Sequence, residues 1–167
     1  MATVDAEKKL QNRVLHWLVD DLGYLGNLED IDNTPVKEEL LKANLKKRGY
    51  GDDQIKIAIN ELISKINNQA DSLYEINQKV YSLLRYGRQG TKDANGHRQT
   101  VHYIDWDLDH IDNNDFAVAE EVSVLRYDKV TRKRPDLVLY VNGIAMGVFE
   151  LKSSYVSSGK GIRQMLT

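Results

Sequence analysis

The spacing of hydrophobic and polar residues changes about halfway along the chain. In the first half, apolar residues recur every three or four positions, as they do on one buried face of an α-helix. This spacing predicts four helices, at about residues 6–22, 34–47, 52–66 and 71–86. Thr34 and Pro35 suit the N-cap and first position of the second helix, and Gly87 suits the end of the fourth.

The second half alternates apolar and polar residues with the period of two that is typical of strands. The alternation covers TVHYID, FAVAEEVSVL and RPDLVLYVNGIAMGVFELK, whereas the polar stretch GRQGTKDANGHRQ before them predicts a loop. Helices followed by strands, without a repeat or a Pro-rich linker, favour one α/β domain.

Composition narrows the class of protein. The 167 residues are 41% hydrophobic and include no cysteine, so a disulfide framework and a Cys-based zinc site are excluded. The opening MATVDAEKKL lacks the basic and apolar pattern of a signal peptide, and no apolar run approaches the roughly 20 residues of a membrane span. We therefore expect a soluble, cytoplasmic protein without a membrane partner.

Charge is distributed unevenly. Residues 126–167 hold eight Lys or Arg against three acidic residues, although the whole chain has a net charge of −2. Such a basic segment is expected where a protein meets a polyanion such as DNA. The candidate DNA-binding residues are Arg132, Lys133, Arg134, Lys160 and Arg163. A solvated basic loop that only keeps the domain soluble explains the same charges.

Acidic residues stand at both open ends of the last predicted hairpin. Asp136 begins one strand and Glu150 ends the next, although acidic residues are uncommon in strands. Two carboxylates there supply the hard oxygen ligands that Mg²⁺ or Mn²⁺ prefers. Lys152 leaves the strand on the same face as Glu150 and can stabilise charge on a reacting phosphate. A structural ion pair at the strand ends is the alternative.

The register of this hairpin decides whether its carboxylates can meet. The Asn-Gly pair at 142–143 predicts a tight turn. A two-residue turn between regular strands would point Asp136 away from Glu150, so one shared metal site requires a displaced register. We expect an odd-length loop with the turn glycine in the left-handed conformation, or a bulge within 141–148, with Gly147 the obvious place.

These residues carry a family resemblance. Pro135-Asp136, thirteen intervening residues and Glu150-Leu151-Lys152 resemble the PD-(D/E)xK nuclease signature. More narrowly, IDWDLDHIDNNDFAV followed by RPDLVLYVNG and ELK resembles the N-terminal domain of the restriction (R, or HsdR) subunit of type I restriction-modification enzymes. The stretch EKKLQNRVLHWLVDDLGY fits the first helix of that family. The resemblance implies a restriction-endonuclease-like mixed β-sheet flanked by helices, with residues 28–87 as a helical insertion in a nuclease domain covering 1–167.

The resemblance also implies roles for individual residues. The implied catalytic residues are Asp136, Glu150, Lys152, Gln164 and Glu7. Asp136 and Glu150 would be the metal ligands, and Gln164 stands where the family has a Gln-x-x-x-Tyr motif. We expect the backbone carbonyl of Leu151 as a further ligand, because it adds a hard oxygen beside the two carboxylates. Glu7 is on the first helix, where nucleases of this fold often place a glutamate. The alternative is that an acidic residue in a first helical turn only complements the helix dipole.

The expected function is therefore Mg²⁺-dependent cleavage of double-stranded foreign DNA, with Mn²⁺ as a possible substitute. The resemblance implies methyltransferase and specificity subunits as partners, and it confines ATP to motor domains that this chain lacks, as a fragment of a longer protein would. Two alternatives stay open: a catalytically silent module that docks DNA or the other subunits, and a PD-(D/E)xK nuclease of a repair or transposition family.

Overall fold

The computed structural model describes residues 2–26, 28, 34–93, 95–125 and 132–151. Its α-helices are α1 (Ala2–His16), α2 (Glu38–Lys47), α3 (Asp52–Ile66) and α4 (Leu73–Tyr86). A π-helical turn, Trp17–Asp21, continues α1, and a 3-10 helix covers Leu108–Asn113. The strands are β1 (Arg88–Lys92), β2 (Arg98–Val101), β3 (Phe116–Glu120), β4 (Val124–Leu125), β5 (Arg132–Lys133), β6 (Leu137–Val141) and β7 (Ile144–Phe149). The predicted α/β class is confirmed.

Internal contacts divide the described residues into two compact units. The first unit contains those within 1–35, 116–140 and 145–167, and the second contains those within 36–115 together with 141–144. Helices α2, α3 and α4, which lie in the predicted helical insertion at 28–87, all belong to the second unit. That one domain covers the whole chain stays a prediction. None of the helices in the described ranges is long and apolar enough to cross a membrane.

The second unit is built around the apolar faces of α2 and α3. The predicted stripe of α3 is confirmed, because Ile55, Ile59 and Leu62 are all buried. They share a core with Val36, Leu41, Leu45, Ala58, Val101, Tyr103, Ile104 and Ile144. Helix α4 begins with a capping box, in which the Ser72 hydroxyl accepts from the amide of Glu75 and the Glu75 carboxylate accepts from the amide of Ser72.

The predicted start of the second helix is wrong by three residues. Helix α2 begins at Glu38, with Lys37 as its N-cap, rather than after Thr34. Val36 forms an antiparallel bridge with Ile144, and the amide of Lys37 donates to the carbonyl of Gly143 over 2.7 Å. Because this pairing holds the backbone extended, the helix can begin only after it.

The predicted loop after α4 is also wrong in part, because it contains strand β1. This strand pairs antiparallel with β2, matching Thr91 with Gln99 and Lys92 with Arg98. Thr91 is the buried residue of β1, and its hydroxyl donates to the carbonyl of Gln99 over 2.6 Å. A strand with so few apolar side chains shows no alternation in the sequence, so its hydrogen-bonded partner is what defines it.

The first unit contains the three-stranded sheet, whose order is β3-β6-β7. A parallel bridge from Leu25 to Ala117 lies beside β3, so the pairing on this sheet is mixed. One face packs with α1 and the π-helical turn through Val14, Leu15, Leu18, Val19, Tyr24, Val118, Leu137, Leu139, Phe149 and Leu151. The other face carries Leu28, Ala117, Ala119, Val122, Val138, Tyr140 and Ala145. We call these the helix face and the far face.

Candidate active site

The turn between β6 and β7 has two residues. Strand β6 ends at Val141, β7 begins at Ile144, and the backbone φ angles of Asn142 and Gly143 are 51° and 79°. Positive φ at both central positions is the pattern of a type I′ hairpin turn, which Asn-Gly favours. The predicted odd-length loop is therefore wrong, and only a bulge can displace the register.

The packing of β7 indicates such a bulge. Ala145 packs on the far face with Tyr140, which it would oppose in a regular hairpin. Gly147 faces the other way, because a Cβ atom placed on it would lie 4.0 Å from the Cβ of Leu139, a helix-face residue. Positions 145 and 147 of a regular strand share a face. One extra residue between them accounts for the change, as the bulge prediction expects.

If the alternation continues past the ends of β6 and β7, the displaced register would bring the two carboxylates of the motif together. Phe149 and Leu151 lie on the helix face with Leu139, so alternation puts Glu150 on the far face. Val138 is also on the far face, and the same alternation assigns Asp136 to it. With Gly147 opposite Leu139, Asp136 comes opposite Glu150, where Cβ atoms are typically about 5 Å apart.

Both the carboxylate and the backbone carbonyl of Asp136 accept hydrogen bonds. Its carboxylate Oδ2 accepts a hydrogen bond from the backbone amide of Leu151 over 2.5 Å. Its backbone carbonyl accepts from the amide of Glu121 over 3.0 Å and from Gln11 Nε2 over 3.3 Å. The motif aspartate is thus connected to α1, to the end of β3 and to the segment after β7.

The donor set at this place suits a hard divalent cation. Two carboxylates and the carbonyl of Leu151 would supply oxygen ligands, which Mg²⁺ prefers, and Mg²⁺ typically keeps several waters. Across the ranges that the structure describes, no group of three or more His, Cys, Asp or Glu residues is arranged to hold a metal ion. The residues therefore fit an ion held by Asp136, Glu150 and the Leu151 carbonyl with water, and this metal site stays a prediction.

Several predicted site residues lie outside the described residues. These are Lys152, Gln164, Lys160 and Arg163. Glu7 lies in α1, half-buried and one helical turn before Gln11, which contacts the Asp136 carbonyl. Its predicted catalytic role stays a prediction.

The described basic residues of the predicted DNA-binding set lie at the start of the hairpin. Arg132 and Lys133 form β5, which pairs with β4, and Arg134 follows. The Arg134 guanidinium donates through Nε to the carbonyl of Glu121 over 3.0 Å and pairs through Nη2 with the Glu121 carboxylate over 2.5 Å. Its side chain is nevertheless 66% exposed, so it can still meet a phosphate.

A polar cluster beside Asp136 was missed at the level of sequence. We call Lys8, Gln11, Glu120 and Glu121 the α1–β3 clasp. Gln11 Nε2 donates to Glu120 Oε1 over 3.0 Å, and Lys8 Nζ lies 3.3 Å from Glu120 Oε1 and 3.2 Å from Glu121 Oε1. Burial disfavours the charged form of Lys8, but its bonds to Glu121 and Glu120 raise its pKa above the ordinary value.

The sequence did contain a signal for Gln11. It stands four residues before Leu15 and seven before Leu18, so it occupies the buried stripe of α1, and it is 4% exposed. A glutamine at such a position needs a hydrogen-bond partner, because an unsatisfied buried polar group is costly. The pattern predicts that a partner exists but not that the partner includes the Asp136 backbone.

Comparison with known proteins supports the resemblance to the R subunit of type I restriction enzymes. Residues 6–167 match the family model described as type I restriction enzyme R protein N terminus. The chain is 28% identical over 120 residues to a putative type I restriction enzyme MjaIXP endonuclease subunit of Methanocaldococcus jannaschii, covering 71% of this chain and 11% of that protein. It is 34% identical over 77 residues to the type I restriction enzyme HindI endonuclease subunit of Haemophilus influenzae, covering 46% of this chain and 7% of that protein.

The matches cover only a small part of each relative but most of this chain in the family model. The chain spans about a tenth of the length of the curated relatives it matches. No solved structure matches the chain. The family model nevertheless covers nearly all of the chain, including α1 and the hairpin with Asp136 and Glu150. The chain therefore belongs to the family of type I restriction enzyme R protein N-terminal domains.

Proposed function

We propose that this chain is the DNA-cleaving module of a type I restriction enzyme and that it hydrolyses phosphodiester bonds with Mg²⁺. The observation that carries the proposal is the meeting of Asp136 with the 150–151 segment. The Asp136 carboxylate accepts a hydrogen bond from the Leu151 amide, and continued alternation from the bulged register would put Glu150 on the same face. Membership of the R protein family supports the reaction class, since both relatives are named endonuclease subunits.

The groups at the proposed site would have different roles in phosphodiester hydrolysis. Bound Mg²⁺ would polarise the scissile phosphate and favour ionisation of a water. Asp136 and Glu150 would hold the ion. The Leu151 amide keeps the Asp136 carboxylate oriented through Oδ2, which leaves Oδ1 to face an ion. Lys152, two residues after Glu150, would place its ammonium on the same face, where it can stabilise the negative charge of the transition state.

The substrate is double-stranded DNA, bound mainly through phosphates. The basic residues proposed to contact it are Arg132, Lys133, Arg134, Lys160 and Arg163. Phosphate contacts carry no sequence information, so target recognition falls to another part of the enzyme. We place that task on the specificity subunit, next to methyltransferase subunits and ATP-driven motor domains, in a cytoplasmic complex.

The test uses the assembled enzyme that carries this chain, with Asp136→Asn as the variant. We expect loss of Mn²⁺ binding at this site by calorimetry, loss of double-strand cleavage, and retained ATP hydrolysis. The control is Asp109→Asn, an exposed acidic residue of the second unit, which should behave like wild type. Wild-type Mn²⁺ affinity and cleavage in Asp136→Asn would overturn the proposal. If wild type binds DNA and partners but never cleaves, the chain is a silent docking module.

A further inference from the structure

Gln11 connects the first helix directly to the backbone of the motif aspartate. Its side chain is 4% exposed, and Nε2 donates to Glu120 Oε1 over 3.0 Å and to the carbonyl of Asp136 over 3.3 Å. One buried amide nitrogen therefore joins α1 to two neighbouring strands. The contact is to the backbone carbonyl of Asp136 and not to the carboxylate that would bind the metal.

Strand pairing shows that Glu120 belongs to this connection rather than to the ligand set. The amide of Glu121 donates to Asp136, and the antiparallel pairing of β3 with β6 then brings Glu120 opposite Leu137. Leu137 is on the helix face, so Glu120 points toward α1, in agreement with its contacts to Gln11 and Lys8. Alternation assigns Asp136 to the far face, so we place Glu120 in this connection and not among the proposed ligands.

The hydrogen bonds to the Asp136 carbonyl affect the orientation of its carboxylate. The carbonyl has two donors, the amide of Glu121 and Gln11 Nε2, and these fix the plane of the peptide that follows Asp136. The carboxylate has one described donor, the amide of Leu151. Because the peptide that follows Asp136 leads into β6, a change in the torsion about the Cα–C bond of Asp136 turns its Cα and side chain relative to that strand.

We propose that Gln11 is a positioning residue, which orients Asp136 for metal binding by holding its backbone carbonyl against α1. The proposal rests on the proposed function. Residues that orient metal ligands typically change metal affinity by 10- to 100-fold when they are replaced. Gln11 is expected near the lower end, since it acts through the backbone of the ligand.

The sharpest variant exchanges the two partners, Gln11→Glu together with Glu120→Gln. The exchange conserves charge and keeps a hydrogen bond between positions 11 and 120, now donated from β3. Lys8 also keeps an acidic group within reach. The donor to the Asp136 carbonyl is what disappears. The carboxylate at position 11 then faces the Asp136 carbonyl as a second acceptor, so some stability should be lost while the orientation of Asp136 is released.

Two readouts separate positioning from mere packing. Calorimetry should give Mn²⁺ affinity about tenfold weaker in the exchange variant. Hydrogen exchange without metal should show faster exchange of the Leu151 amide, because its acceptor has moved. Gln11→Leu should show both effects together with a lower melting temperature. Its matched control is Gln54→Leu, which removes a buried glutamine of the second unit that bonds to Thr91 and Gln99.

These experiments distinguish failure of the positioning role from failure of the proposed function. Wild-type Mn²⁺ affinity and wild-type Leu151 exchange in the exchange variant would overturn the positioning role, even if Asp136→Asn abolishes binding. Equal weakening of Mn²⁺ affinity by Gln54→Leu would also overturn it, as a general effect of destabilisation. If Asp136→Asn binds Mn²⁺ like wild type, the proposed function fails, and the Leu151 exchange rate still decides whether Gln11 orients Asp136.

Discussion

Gly147 lies opposite Leu139, with 4.0 Å between the Cβ of the leucine and a Cβ placed on the glycine. This separation is within the range of about 3.5–4.5 Å found in disulfides. The chain has no cysteine, so a designed pair has no competitor. We predict that Leu139→Cys with Gly147→Cys forms a disulfide on mild oxidation, detected by thiol titration and by mass spectrometry after digestion.

The control for this crosslink is Leu139→Cys with Met146→Cys. A regular two-residue hairpin would oppose these positions, whereas the bulged register does not. Efficient crosslinking of the control pair, with none between 139 and 147, would contradict the bulge. It would also remove Asp136 and Glu150 from a shared face.

The turn glycine is required for a close approach as well as for its backbone angle. A Cβ on Gly143 would lie 2.6 Å from the carbonyl oxygen of Lys37 and 2.9 Å from the Cβ of Leu40. Gly49 has a similar φ of 86°, but nothing lies within 4 Å of a Cβ there. Gly49→Ala should therefore cost about 1–2 kcal/mol for conformation alone.

Gly143→Ala should lower the free energy of unfolding by about 1–3 kcal/mol more than Gly49→Ala, because overpacking adds to the conformational cost. Urea denaturation of both variants measures the difference. Equal losses would show that the 143 position tolerates a side chain and that Lys37 is not packed against the turn.

Asp115 should make the second unit sensitive to acid. Burial raises the pKa of its carboxyl, but hydrogen bonds from Lys47 and Asn44, both 2.8 Å, outweigh burial and hold the pKa below the ordinary value. A group with a depressed folded-state pKa stabilises above its unfolded pKa, and this contribution is lost as pH falls through the folded value. The loss should therefore occur below about pH 4.

We predict that Asp115→Asn is less stable than wild type at neutral pH and loses less stability between about pH 4 and pH 2. Denaturation at a series of pH values gives the two slopes. Asp109→Asn is the control, because its exposed carboxylate has no hydrogen-bond partner among the described contacts. If Asp115→Asn loses as much stability as wild type between these pH values, other groups cause the pH dependence.

Lys152 should be needed for chemistry and not for motor function. In the assembled enzyme, Lys152→Ala is expected to abolish double-strand cleavage while ATP hydrolysis continues, because in the proposed mechanism its ammonium would stabilise charge at the phosphate. Cleavage and ATPase assays on the same preparation check this, with Lys56→Ala, an exposed lysine of α3, as the control. Retained cleavage would exclude Lys152 from the mechanism.

Local patterns determined much of the helical structure. The spacing of Ile55, Ile59 and Leu62 was sufficient for α3, and Gly87, with φ of 77°, ends α4 as predicted. A helix closes its hydrogen bonds within four residues, so its signals lie in one short stretch of sequence. The candidate site could also be proposed from local sequence, because Asp136 and Glu150 stand at the two ends of one predicted hairpin.

Tertiary structure alone decided how these residues meet. The extended conformation of Val36, the polar strand β1 and the bulge before Gly147 each depend on a partner strand that no local pattern specifies. The role of Gln11 also depends on tertiary structure, since its hydrogen-bond partners Glu120 and Asp136 are more than 100 residues away in the sequence. Strand hydrogen bonds and buried polar contacts are made between remote segments, so a sequence can specify the groups while the fold determines their geometry.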